Sequence, residues 1–168
     1  MKLSTKLGQR GTSLIEASIA ACTSALFLGS LFTLNVTSMK TLRTAREAAS
    51  ASQVLQQRVE TLRIANWHNI TDATWIKNNL LNASAPGDGS LKGMTETLTL
   101  VPYGSTTTGN TQLVRSNGTT QIITNNTALL KEGAMKVIWT VAYTGSVRSD
   151  GMSRQAVAII AKGGVAKW

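Results

Sequence analysis

Residues 17–39 run for 23 positions without a charged side chain, directly after Glu16. At 1.5 Å per residue a helix of that length extends about 35 Å, enough to span a bilayer hydrocarbon core of about 30 Å. Leu26, Phe27, Leu28, Leu31, Phe32 and Leu34 carry the hydrophobicity, while Ser18, Thr23, Ser24, Ser30, Thr33 and Asn35 dilute it. A secretory signal has a shorter apolar core followed by a small-residue cleavage site, which this run does not match.

The helical pattern continues past the apolar run. Ala45, Ala48, Ser52, Leu55, Val59 and Leu62 recur at spacings of three and four and form one stripe. Arg46, Ser50, Gln53, Gln57 and Glu60 form a polar stripe opposite. Neither Pro nor Gly occurs between residues 30 and 65. The pattern therefore predicts one helix over residues 13–65, apolar all round in its first half and amphipathic in its second. The second half needs a cover for one face.

The remainder of the chain supplies that cover. Residues 66–75 read as a loop or short helical turn anchored by Trp67 and Trp75, and residues 82–90 as a loop rich in Gly, Asp and Pro. Strand patterning then begins. Thr alternates with Leu98 and Leu100 over residues 95–101, and residues 119–124 carry Ile122 and Ile123. Met135, Val137, Trp139, Val141 and Tyr143 share one face of a strand, with Lys136, Thr140 and Thr144 on the other. Asp150-Gly151 signals a turn. Residues 154–161 return with Val157 and Ile159 on one face. Residues 104–118, rich in Thr, Gly and Asn, read as an exposed hairpin or a mobile loop. The fold class expected is α+β: a long N-terminal helix, its first half membrane-spanning, packed by its amphipathic second half on a small antiparallel sheet.

Composition narrows the chemistry. The net charge of +9 is spread along the chain, and no block is dense enough to read as a nucleic-acid arm. One cysteine, Cys22, excludes an intrachain disulfide, and one histidine, His68, proposes neither a metal cluster nor a catalytic pair. No phosphate-binding Gly-rich loop or nucleophile elbow is present. The reading is of a non-enzymatic protein with no catalytic residues, no metal site and no cofactor.

The N-terminus carries a motif. A basic leader with Lys2, Lys6 and Arg10 ends at Gly11, followed by Thr12-Ser13-Leu14-Ile15-Glu16 and the apolar run. This resembles the type IV pilin and type II secretion pseudopilin family. Residues 52–63, SQVLQQRVETLR, also look like the end of the long helix in minor pilins and pseudopilins. The resemblance implies cleavage by a prepilin peptidase between Gly11 and Thr12, N-terminal methylation of Thr12, and Glu16 at the fifth mature position as the assembly residue. It divides the chain into a leader (1–11), a long helix (12–65, membrane or filament-core part about 14–39) and a periplasmic β-rich domain (66–168). It implies a single pass through the inner membrane with a cytoplasmic leader, and assembly with other pilin or pseudopilin subunits into a pilus or pseudopilus. Thr12 stands where the family usually has Phe or Met, and no Pro precedes Pro86. The absence of a C-terminal disulfide loop points to a minor subunit.

Other readings use the same residues. Ile19-Ala20-Ala21-Cys22 matches a lipobox with Cys22 as the lipidated residue, although Glu16 and Gly11 make a poor apolar region before it. A plain single-pass anchor leaves Glu16 merely at the interface. A pilin-derived module whose Thr-rich loop contacts DNA or a surface is a further alternative, and nothing in the charge distribution supports the DNA contact. Basic residues flank both ends of the span, so the charge bias does not orient it.

Overall fold

Helix α1 runs unbroken from Leu14 to Ile64, 51 residues. No Pro lies in that stretch, and its one glycine, Gly29, is not enough to break it. The computed structural model describes residues 14–83, 89–147 and 150–163. The chain divides into two units, Met1–Thr41 and Leu42–Trp168. In the described part of the first unit every residue from Leu14 to Thr41 is exposed. This portion belongs to a helix long and apolar enough to cross a membrane.

The second unit contains the rest of α1 and an open five-stranded antiparallel sheet, so the architecture is α+β as the patterning predicts. Asn66 starts the connection to the sheet by accepting a hydrogen bond from the His68 amide at 3.1 Å, which caps α2, Trp67–Thr71. Asp72 does the same for α3, Ala73–Trp75, through the Thr74 amide at 2.8 Å. A π-helical turn, Ile76–Leu81, follows directly and buries Ile76, Leu80 and Leu81. Trp67 and Trp75 both pack against the core, and the Trp67 indole N–H donates to the Leu130 carbonyl at 3.2 Å.

The strands are β1 (Lys92–Pro102), β2 (Thr111–Ser116), β3 (Thr119–Thr124), β4 (Ala134–Thr144) and β5 (Gly151–Ala161). Their spatial order is β3-β2-β1-β4-β5. Alternation sets the inner face: Leu98 and Leu100 of β1, Leu113 of β2, and Met135, Val137, Trp139, Val141 and Tyr143 of β4 are all buried. They meet Ala51, Val54, Leu55 and Leu62 of α1 in one cluster. A register shift between Lys92 and Thr95 marks a bulge, and Gly93 there has φ +60°, which a side chain would strain.

Two readings of the sequence need correction. Residues 104–118 are neither a free loop nor a hairpin by themselves: Thr111–Ser116 is strand β2, hydrogen-bonded to both β1 and β3. The turn joining β2 to β3 is Asn117-Gly118, both at positive φ (49° and 77°), the pairing a two-residue hairpin requires. The α1 stripe is also rotated. Ala51, Val54, Leu55, Arg58, Val59 and Leu62 are buried, whereas Ala45 and Ser52 are exposed. The sheet covers an arc centred on residues 51, 55, 58 and 62, and that arc includes a charge. Val157 and Ile159 share a face of β5 as the patterning predicts; it is the outer one, each 54% exposed, and Ala158 and Ile160 lie on the buried face. The segment 84–88 in the predicted loop and residues 148–149 before Asp150-Gly151 lie outside the described residues.

Candidate assembly site on the N-terminal helix

Glu16 stands in the first turn of α1. A carboxylate there is favoured by the partial positive charge of the helix N-terminus. From Leu14 to Met39 it is the one charged residue. Around and beyond it the helix displays Ile19, Leu26, Phe27, Leu28, Leu31, Phe32 and Leu34, all exposed, with Phe32 at 72%. Cys22 is a free, exposed thiol on the same stretch.

The polar residues that dilute the span are largely neutralised by their own helix. Ser18 Oγ donates to the Leu14 carbonyl at 2.8 Å, and Thr23 Oγ1 to Ile19 and Ala20, both at 3.0 Å. Ser30 Oγ donates to Phe27 at 2.7 Å, Thr33 Oγ1 to Gly29 at 2.9 Å and Thr37 Oγ1 to Thr33 at 2.8 Å. A hydroxyl bonded back to the preceding turn needs no partner from water, so these residues fit a hydrocarbon environment far better than their count suggests. The cleavage junction predicted at Gly11 and Thr12 lies outside the described residues.

A second set of charges lies where α1 meets the sheet. Arg58 is buried at 3% exposure and Glu96 at 0%. Arg58 Nε donates to Glu96 Oε2 and its Nη2 to Oε1, each at 3.1 Å. Arg115 Nη1 donates to Glu96 Oε1 at 2.8 Å. The Arg58 guanidinium also donates through Nη1 to the Leu80 carbonyl and through Nη2 to Ala83 at 2.9 Å. One fork thus ties α1 to β1, to the π-helical turn and to the chain after it, while Glu96 draws in β2. Planar bidentate geometry suits Arg and not Lys. This arrangement positions groups; it holds no exposed reactive atom.

Sequence reasoning missed this cluster, although its signal was present. Arg58 falls four residues before Leu62 and three after Leu55, on the apolar stripe. Glu96 falls two residues before Leu98, on the buried side of its strand. Opposite charges at core positions of two neighbouring elements are a pairing signal.

His68 is exposed on α2, beside a small hollow it shares with Thr71, Asp72 and Leu130. Among the described residues no group of three His, Cys, Asp or Glu side chains is placed to hold a metal ion. No family model, curated protein or solved structure matches the chain.

Proposed function

We propose that this chain is a structural, non-enzymatic subunit of the minor pilin or pseudopilin type, held in a membrane by the first half of α1 and assembled through that same half. The observation that carries the reading is Glu16 at the head of a fully exposed apolar helix continuous with one that packs beneath an antiparallel sheet. Processing between Gly11 and Thr12 would create a new amine one helical turn from Glu16. A carboxylate at membrane depth costs about 2.5–3.5 kcal/mol on insertion scales. Pairing with the Thr12 amine of a neighbouring subunit offsets that cost, and the attraction is strong because the surroundings exclude water. Glu16 then sets the axial register between subunits, and the exposed leucines and phenylalanines pack side by side.

The test joins mass spectrometry to crosslinking. The native chain is expected to begin at Thr12, with or without a methyl group, and Gly11→Asp to remain full length. Glu16→Leu is expected to be processed and membrane-resident but to lose crosslinks between subunits along residues 12–36. Glu16→Gln is expected to behave the same way, because it keeps shape and loses charge. Wild-type crosslinking in Glu16→Leu would leave a plain anchor. A mature chain beginning at a lipidated Cys22 would establish a lipoprotein instead.

A further inference from the structure

The two edges of the sheet differ. On one side β3 has six residues, and its pairing with β2 shifts register between Gln112 and Leu113. On the other, β5 has 11 residues and pairs with β4 in unbroken register from Thr144↔Gly151 to Ala134↔Ala161. Natural edge strands are blunted by charges, proline, bulges or short length. The first edge is short and irregular. The second has no proline, no bulge and a single charged residue, Arg154.

Beside β5 lies a groove of about 430 Å³, lined by Leu55 and Val59 of α1, by Ala156 and Ala158, and by the charged residues Glu60, Arg63 and Arg154. On the β5 side the groove is lined by small side chains, Ala156 and Ala158 among them. On the other face of the strand Val157 and Ile159 are each 54% exposed. Among the described residues no strand pairs with the outer edge of β5, apolar space adjoins its inner face, and apolar side chains are exposed on its outer face.

We infer that β5 is a docking edge for an extended segment of a partner protein, which adds as a sixth strand. The segment has apolar side chains at alternate positions, seated over Ala156 and Ala158, and an acidic side chain directed to Arg154. Backbone hydrogen bonds supply affinity in such strand addition, and pockets for alternate side chains supply selectivity. Charge decides between a foreign segment and a second copy. From Leu42 onward the chain has thirteen Lys and Arg against seven Asp and Glu. Pairing two copies through β5 would bring two Arg154 side chains to one edge. The acid that would accompany them, Glu60, is already bonded to Arg63 at 2.9 Å. The inference uses no residue before Ser52 and does not depend on the assembly role of Glu16.

The test uses the full chain in detergent micelles and a fluorescein-labelled peptide of about eight residues, a common strand length. The peptide alternates leucine with threonine and carries glutamate at one end. A companion peptide has the same sequence with alternate backbone nitrogens methylated. Fluorescence anisotropy is expected to show saturable binding of the first peptide and none of the second. Arg154→Glu is expected to weaken binding about tenfold or more, and Ala158→Leu, which fills the groove, to abolish it. Thermal unfolding followed by circular dichroism verifies that each variant is folded. Equal binding of the methylated peptide, or unchanged affinity in Arg154→Glu, overturns the inference. Disulfide-linked dimers of Val157→Cys in a Cys22→Ser background would also overturn it, because the occupant would then be a second copy.

Discussion

At residue scale the molecule turns on where it keeps its charges. Glu96 is fully buried between two guanidinium groups, and Arg58 spends its remaining donors on the Leu80 and Ala83 carbonyls. Removing Arg58 leaves Glu96 with Arg115 as its remaining partner and leaves the Leu80 and Ala83 carbonyls without their donor, and breaking a buried ion pair in this way costs up to about 3–5 kcal/mol. Arg58→Ala is therefore expected to lower unfolding free energy by about that amount in denaturant titration. Arg58→Lys is expected to recover only part of it, since one ammonium cannot reproduce the fork. Glu132 gives a different, pH-dependent contact. The Thr107 hydroxyl donates to it and Ser105 assists, which holds its carboxyl below the ordinary value of 4.5. A depressed carboxylate stabilises the fold above its unfolded pKa, and that contribution fades as pH falls through the lower folded value. The protection factor of the amides around Thr107, whose N–H is bonded to Ser105 Oγ at 3.0 Å, is expected to fall as pH drops below 4.5, once the intrinsic pH dependence of exchange is divided out. Glu132→Gln is expected to remove that pH dependence.

At the scale of elements, α1 serves two environments in one run of sequence. Its first half bonds its own hydroxyls internally, and its second half donates Val54, Leu55, Val59 and Leu62 to the core of the sheet. A chain beginning at Lys40 is accordingly expected to be folded and soluble without detergent. One beginning at residue 66 is expected to lose cooperative thermal unfolding, because the inner faces of β1 and β4 would then be wet and Glu96 would lack Arg58. Equal stability of the two would show that the α1 packing is dispensable. The helix and strands β1 and β4 were legible in the sequence because their periods are long and clean. β2 was obscured by its composition: Thr111, Gln112 and Arg115 interrupt the apolar signal, and only Leu113 and Val114 speak for a strand. Its turn carries a hairpin signal, Asn117-Gly118, that the Thr-, Gly- and Asn-rich composition around it masked. The burial of Arg58 was not readable from α1 alone, since it depends on Glu96 arriving from β1. The exposure of Val157 and Ile159 likewise depends on which face of β5 the helix covers, and alternation is silent on that choice. Glu16 was legible at once, being the sole charge of its stretch.

At the scale of the whole molecule, the strand order places β1 between β2, which follows it in the chain, and β4, which arrives only after the β2–β3 hairpin is complete. Hairpins β2–β3 and β4–β5 close locally, whereas the β1–β4 pairing and the Arg58–Glu96 bond, 38 residues apart, close over long loops. Synthesis proceeds from the N-terminus at about 5–20 residues per second. The stretch between Arg58 and the end of β4 at Thr144 then takes on the order of ten seconds to emerge. Until Glu96 has emerged the Arg58 guanidinium lacks its carboxylate, and until β4 has emerged the apolar face of α1 lacks much of its cover. The sheet is thus the last part to declare itself, and the timing of its appearance, more than the strength of any single contact, governs how long α1 must be sheltered.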